Sequence, residues 1–523
     1  MYEGGFFMLD LIAKINSAVN GVVWGIPMLI LIIGTGIYMT LRTKVFQITY
    51  AKHVTAETIG GVFKKGSHVK NSKDKTSISQ FQALCTALAA TIGVGNIAGV
   101  AAAIAAGGPG AVFWMWLSAF FGMMTNFSEN VLGIYYRRKN AHGEWCGGAM
   151  YYLRDGLGAK KGCERIGKVL AVLFSVFCIL ASFGIGNMSQ VNTIAGNITS
   201  VFKIQALDRT LTIGSAEINL YALIVGILLM ILAGLVIVGG IKRIAQFTEK
   251  FVPFMACAYI IGALIVFIVN ITKVGEVFGA IFSFAFGFKA VGGAAIGLAV
   301  KAAVTWGFKR GVFSNEAGLG SSVMVHSASN VIEPVMQGMW GIFEVFADTI
   351  VVCTLTAFSI LSTGLIDLQK GEMISANEKT ALVSEAFGTV FNFGGLNIGG
   401  AFIAIAILLF AFSTVLGWSY YGTKAWEFLF GTKATIIYKV IFVVFIVFGA
   451  TMSLDLAWDI SDTFNGLMAL PNLIGVLALS GTVIKITRNY VARTFQGSKE
   501  APMLSAFDDI QAEQEAKLKA QKQ

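Results

Sequence analysis

The chain is 523 residues long, with 56% hydrophobic residues, only 13% charged residues and a mean hydropathy of +0.73. A soluble domain carries about 25% charged residues to face water, so lipid must be the solvent of this chain and a soluble enzyme is excluded. The net charge of +10 is gathered in particular loops, the pattern of the positive-inside rule, and no nucleic-acid partner is expected.

The first twenty residues lack the basic start and small-residue cleavage site of a signal peptide. Residues 1–20 read instead as an amphipathic segment lying at the interface. A spanning helix needs about twenty mostly apolar residues. That window predicts eleven spans, near 21–42, 79–106, 110–136, 167–196, 219–240, 251–271, 288–308, 337–365, 397–420, 436–453 and 463–485. The short alternating segments of a transmembrane β-barrel are absent, and sixty glycines suit closely packed membrane helices.

Loop charges then orient the spans. Lys44, Lys52, Lys64, Lys65, Lys70, Lys73 and Lys75 fill the loop after the first span, and Arg137, Arg138, Lys139 and Arg154 follow the third. Lys242 and Arg243, Lys309 and Arg310, Lys424 and Lys433, and the tail from Lys485 fall on that same side. The alternate loops are poorer in basic residues, and 454–462 holds Asp455, Asp459 and Asp462 with none. An odd number of spans is therefore expected, N-terminus outside and C-terminus cytoplasmic. The first span reads as an addition before a block of ten, and residues 490–523 as a polar cytoplasmic tail. Most of the six cysteines lie in apolar segments, and Cys146 and Cys163 in a polar loop lack metal-site spacing.

Two spans read as interrupted. In TALAATIGVGNIAGVAAAIAAGG, Gly93, Gly95 and Gly99 sit mid-span beside Thr91 and Asn96. Unwound backbone at membrane depth survives only where it faces protein or a watery cavity. Its free N–H groups can hold a carboxylate and its free carbonyls a cation; close packing is the competing reading for such glycines. Five spans later, AVGGAAIGLAVKAAVTWGFKRGVFSNEAGLGSS carries Gly292, Gly293, Gly297, Gly307 and Gly311, with Ser314 and Asn315 as N-caps of a new helix. A break near Trp306–Gly311 is expected, with Gly292–Gly297 as the alternative. Two broken helices five apart fit two inverted five-helix repeats, about 79–271 and 288–485.

The string GAVFWMWLSAFFGM (Gly110–Met123), together with TIGVGNIAGVA and WGFKRGVFSNEAGLGSS, resembles the alanine or glycine:cation symporter family over roughly Gly21–Asn489. The resemblance implies a leucine-transporter-like fold of five plus five helices with one added helix, coupling to Na⁺ or, in some members, H⁺, and no organic cofactor. It implies that the amides of Gly93, Val94 and Gly95, beside Thr91, hold the substrate carboxylate. It implies that the carbonyls of Ala89 and Ile92 hold sodium, with the hydroxyls of Ser413 and Thr414 completing the site. Hard oxygen ligands suit a hard cation, whereas a lone Ser-Thr pair ordinarily bonds the preceding helical turn.

On the substrate side, Asn187 and Gln190 in the fourth span and Trp306 and Gly307 at the second break are further candidates. Trp418, one turn after Thr414, would close over a small side chain. An aromatic lid and scarce charge near the breaks suit a compact, neutral substrate, and the resemblance implies a small neutral amino acid, alanine or glycine, with glutamine as the alternative. Glu344 and Asp348 lie one turn apart on one face. Intramembrane acids are functional candidates, but an ion pair or cap with Lys301 or Lys309 is the preferred reading. Glu129 and Arg137 are expected near the cytoplasmic interface in structural roles. A channel would show a repeated filter loop or charge rings. An enzyme would show HExxH, G-x-S-x-G or Walker motifs. Neither pattern appears, and no obligate protein partner is implied.

Overall fold

The computed structural model describes residues 2–522 except 65–68, 73, 75, 214–215, 288–292, 395 and 453–454. Lys65, Lys73, Lys75 and Gly292 therefore lie outside the described residues. The chain is mostly helical, and its described strands form four two-stranded hairpins in the connections.

In chain order the main helices are α1 (Tyr2–Val23), α2 (Ile26–Arg42), α3 (Gln80–Thr91), α4 (Gly95–Gly107), α5 (Ala111–Tyr135), α6 (Glu164–Val201), α7 (Leu220–Ile237) and α8 (Gly240–Val269). They continue as α9 (Val274–Ala285), α10 (Gly293–Asn315), α11 (Pro334–Leu361), α12 (Lys379–Gly388), α13 (Ile398–Phe430), α14 (Thr435–Thr451), α15 (Asp455–Ala478), α16 (Ser480–Phe495) and α17 (Asp508–Lys522). Local chemistry sets their ends. Asn219 caps α7 through the Ala222 amide (3.0 Å), Asn397 caps α13 through the Gly400 amide (2.8 Å), and Gly431 stops α13 at φ +82°.

Among the described residues seven helices are long and apolar enough to span a membrane, and up to nine if two bent pairs count as one span each. One pair is α3 and α4, bent by 52°; the other is the body of α15 with α16, bent by 58° at Leu479. The span expected over 463–485 therefore turns at its end instead of running straight. The two remaining expected spans correspond to α5 and α10, 25 and 23 residues long. Their hydropathy is lowered by groups turned into the protein: Thr125, Asn126, Ser128, Glu129 and Asn130 on α5 are all buried. By contrast Leu228, Ile231 and Leu235 on α7, and Phe254, Ile261 and Ile268 on α8, remain exposed, as helices facing lipid require.

Lys309 and Arg310, read above as part of a basic loop, belong to continuous α10. Lys309 pairs with Asp462 at 2.7 Å, a residue counted on the opposite side of the membrane. The Asp462 carboxylate also accepts from Asn20 of α1, and its carbonyl accepts from the Trp24 indole. Two of the charges used in the loop comparison thus report helix packing. The C-terminal tail is ordered: the Ala506 amide donates to the Tyr135 carbonyl, Phe507 lies under Arg138, and α17 pairs Glu513 with Lys139.

Candidate functional site

The site begins with a helix that stops early. Ser79 and Gln82 form a reciprocal capping box at the start of α3 (3.1 and 3.0 Å), which fixes its register. Twelve residues later Ile92 leaves helical geometry (φ −78°, ψ 89°). In an unbroken helix the Gly93 amide would donate to the Ala89 carbonyl. Here the Gly93 amide donates to Asn96 Oδ1 (2.9 Å), and the next amide, Val94, donates to Gln190 Oε1 (3.3 Å). The released Ala89 carbonyl accepts from Thr414 Oγ1 (3.0 Å) and Ser413 Oγ (3.3 Å) of α13. Both hydroxyls also bond the Phe410 carbonyl one turn back, so the local bond expected of a lone Ser-Thr pair coexists with the contact across to α3.

Packing confines the break to glycine. A Cβ on Gly93 would stand 2.5 Å from Thr414 Oγ1 and 3.3 Å from Gln190 Oε1. Gly95 is less confined, with the Phe313 ring 3.2 Å from its would-be Cβ. Ala89, Gly93, Val94, Gln190, Ser413 and Thr414 therefore meet in one place. Ile92 is the last residue before the released amides. Thr91 spends its hydroxyl on the Ala87 carbonyl (3.3 Å). Asn187 is directed elsewhere: its amide donates to the Phe442 carbonyl of α14 (2.7 Å) and ties α6 to that helix.

The second break is displaced from the expected position. α10 runs unbroken through Trp306–Gly311 to Asn315. Gly307 and Gly311 are packing glycines there: a Cβ would meet the Ala111 carbonyl at 2.5 Å and Ser118 Cβ at 3.1 Å. Trp306 lies under the guanidinium of Arg310 (5.3 Å), within the helix. The chain leaves the helix at Glu316, held at φ +57°, and Gly318 and Gly320 follow at φ +93° and +73°. Ser314 and Asn315 thus end α10 instead of capping its successor.

This second break is held by acids. Glu316 Oε1 accepts from the Trp418 indole (2.9 Å) and Oε2 accepts from Ser321. Trp418 is buried against the π-helical turn of α6, where a Cβ on Gly186 would fall 2.4 Å from the Trp418 Cβ. Glu129 is buried inside the molecule. It accepts from Asn472 Nδ2 (2.5 Å), and the same nitrogen donates to the Gly318 carbonyl (2.9 Å). Arg137 has the expected structural role, donating to the carbonyls of Ser327, Ser329 and Val331.

Asp348 joins the two breaks. Its Oδ1 accepts from Asn96 (2.6 Å) beside the first, and its Oδ2 accepts from Ser314 (2.8 Å) beside the second and from Thr349 (2.8 Å). Glu344 pairs with His326 Nε2 (2.9 Å) and accepts from Asn126. The expected pairing of these acids with Lys301 or Lys309 is therefore overturned. Buried polar hydrogen bonds take up both Asp348 oxygens and Glu344 Oε2, Glu344 Oε1 has no hydrogen-bond partner among the described residues, and Lys309 belongs to Asp462. Sequence reasoning missed Glu316 and the tie from Asp348 to Asn96. Each links residues about a hundred or more positions apart, for which one sequence carries no periodic signal.

Among the described residues no group of three His, Cys, Asp or Glu side chains is placed to hold a metal. What the geometry offers a cation is carbonyl and hydroxyl oxygen, the donor set of a hard, weakly held ion. Interrupted helices presenting backbone amides and carbonyls at one point, inside a multi-pass helical membrane protein, define the core of a secondary transporter. The chain belongs to the sodium:alanine symporter family, whose profile matches residues 9–504. It is 44% identical over 482 residues to the sodium/alanine symporter AgcS of Methanococcus maripaludis, covering 92% of this chain and 98% of that protein. It is 35% identical over 492 residues to the probable sodium/glutamine symporter GlnT of Bacillus subtilis, covering 94% and 93%. Its fold is similar to the crystal structure of MhsT in complex with L-phenylalanine, with a TM-score of 0.52 at 12% identity, covering 79% of this chain and 99% of that one.

Proposed function

We propose that the protein couples inward Na⁺ movement to uptake of a small neutral amino acid, alanine or glycine, by alternating access. The observation that carries this reading is the split helical bond at Ala89 and Gly93, which leaves a carbonyl facing two hydroxyls, the Gly93 amide on Asn96 and the Val94 amide on Gln190. In this reading Na⁺ sits among the carbonyls of Ala89 and Ile92 and the hydroxyls of Ser413 and Thr414. The substrate carboxylate lies against the amides of Gly93, Val94 and Gly95, where a half-helix N-terminus favours negative charge. Trp418, steadied by Glu316, limits the side chain that fits. Asn187, whose Oδ1 is buried without a hydrogen-bond partner among the described residues, and Trp306 and Gly307 of α10 are the outer substrate-side candidates of this reading.

The same reading takes residues 21–489 as the transport domain, with the extra helix 21–42 before two inverted repeats of about 79–271 and 288–485. The N-terminus is outside and the C-terminus cytoplasmic. Alternating access follows when one bundle rocks against the other around the broken helices. The test is uptake of labelled alanine into proteoliposomes under an inward Na⁺ gradient, a matched K⁺ gradient and a proton gradient. Accumulation with Na⁺ alone supports the proposal. Uptake driven by protons without Na⁺ would move the coupling to buried acids such as Asp348 and Glu344. Glutamine uptake without alanine or glycine uptake would overturn the substrate and leave the sodium site standing.

A further inference from the structure

Far from the transport site, a cavity of about 560 Å³ opens where α2 ends, walled by α16 and the tail. Four cations line it: Arg42 and Lys44 from the α2 side, and Lys485 and Arg488, one turn apart on α16. Glu500 is its one acidic lining residue, and that carboxylate already accepts from Asn489 (3.4 Å). None of the four cations forms an ion pair among the described residues. The cavity therefore gathers four exposed cations against one carboxylate, a net positive site that favours an anion.

The backbone beneath it is also constrained. Lys44 and Val45 are held at φ +58° and +53° in succession, a conformation that a β-branched residue adopts only under strain. The surroundings tell what kind of anion fits. The candidate span Leu11–Arg42 ends at the cavity mouth, so the site lies at the membrane–water boundary. Leu41 and Ile48 beside it are exposed, and Ile484 and Met503 add apolar wall. Cationic headgroup pockets of this sort form at helix ends on charged membrane surfaces. A soluble phosphate would use the charges and leave most of the volume and all of the apolar wall without contact.

We infer that this cavity binds the phosphodiester headgroup of an anionic phospholipid, pinning the N-terminal helix pair to α16 and the tail. The contact of Tyr50 with Phe495, stacked at 4.9 Å, and the bond of His53 to Tyr490 already join the two sides, and the lipid completes that junction. The test is thermal melting of the delipidated full-length protein in detergent with phosphatidylglycerol, phosphatidylcholine or inorganic phosphate added, with native mass spectrometry counting retained lipid. Phosphatidylglycerol should raise the melting temperature and the other two should not. Stabilisation by phosphatidylcholine to the same degree would overturn the inference. So would inorganic phosphate reproducing the full effect, since the ligand would then be a soluble anion. Lys485→Gln with Arg488→Gln should weaken the phosphatidylglycerol response about 30-fold, and Arg42→Gln with Lys44→Gln, from the opposite wall, similarly. Lys242→Gln with Lys250→Gln, exposed lysines of α8 outside the cavity, should leave it unchanged. Equal loss in that control would reduce the effect to general surface charge and overturn the site. The wild-type comparison of the three additives decides even where a double variant does not fold.

Discussion

Gly93 is the residue on which the transport site is most closely built, because two functional side chains approach the space where its side chain would be. A methyl group there would stand 2.5 Å from Thr414 Oγ1, and relieving such overpacking costs about 1–3 kcal/mol. Gly93→Ala should therefore cut sodium-driven alanine uptake about tenfold or more while the protein remains inserted and monodisperse on fluorescence-detected gel filtration. Gly95→Ala meets only a ring edge at 3.2 Å, and its uptake should stay within a few-fold of wild type. Equal losses would mean that the break tolerates no side chain anywhere, and would remove the special role given to the Gly93 contact. Ser413 and Thr414 are separable from folding because each hydroxyl keeps a second acceptor in the Phe410 carbonyl. Replacing both by alanine removes two neutral oxygen contacts worth about 1 kcal/mol each, so half-saturating sodium should rise about tenfold to a hundredfold. Uptake measured against sodium concentration reads this directly; an unchanged sodium requirement would refute the assignment.

At the scale of elements, the first interruption was legible and the second was misplaced. In α3 and α4 the glycines coincide with Thr91 and Asn96, polar groups able to take over backbone bonds, and the helix breaks there. In α10 the glycines at 307 and 311 carry no such partners. They let α5 approach closely instead, and a sequence does not distinguish a glycine that unwinds a helix from one that admits a neighbour. The true break starts at Glu316, a non-glycine residue at positive φ, for which side-chain chemistry gives no warning. What holds that conformation is tertiary: Trp418 and Ser321 on Glu316, and Asn472 bridging Glu129 to the Gly318 carbonyl. The Asp348 hub can be tested at this scale. Asp348→Ala would strand the buried donors of Asn96 and Ser314, each costing about 1–3 kcal/mol. The melting temperature in detergent should fall by several degrees, and uptake should fall with it. Asp348→Asn keeps one carbonyl acceptor of the same shape and should recover part of the stability. No recovery would show that the negative charge itself, and not hydrogen bonding, holds the two breaks together.

For the molecule as a whole, the question is why sodium and substrate should depend on each other. The sodium-side carbonyl of Ala89 and the substrate-side amide of Gly93 are the two halves of one helical hydrogen bond that the fold has pulled apart. Filling either half fixes the backbone between them, so the second ligand meets a more ordered partner. Order provided by one ligand lowers what the other must spend in conformational entropy. Such coupling is reciprocal: if sodium raises affinity for alanine by some factor, alanine raises affinity for sodium by the same factor, typically about 5–150-fold. Equilibrium binding of labelled alanine across sodium concentrations, and of radioactive sodium across alanine concentrations, should return one common factor. The Ser413→Ala, Thr414→Ala double variant should bring that factor towards one while leaving alanine affinity without sodium unaltered, because the amides at Gly93 and Val94 are still released. If alanine affinity without sodium falls as far as affinity with it, the hydroxyl pair shapes the substrate site directly. The two halves of the broken bond would then act as one site instead of two coupled ones.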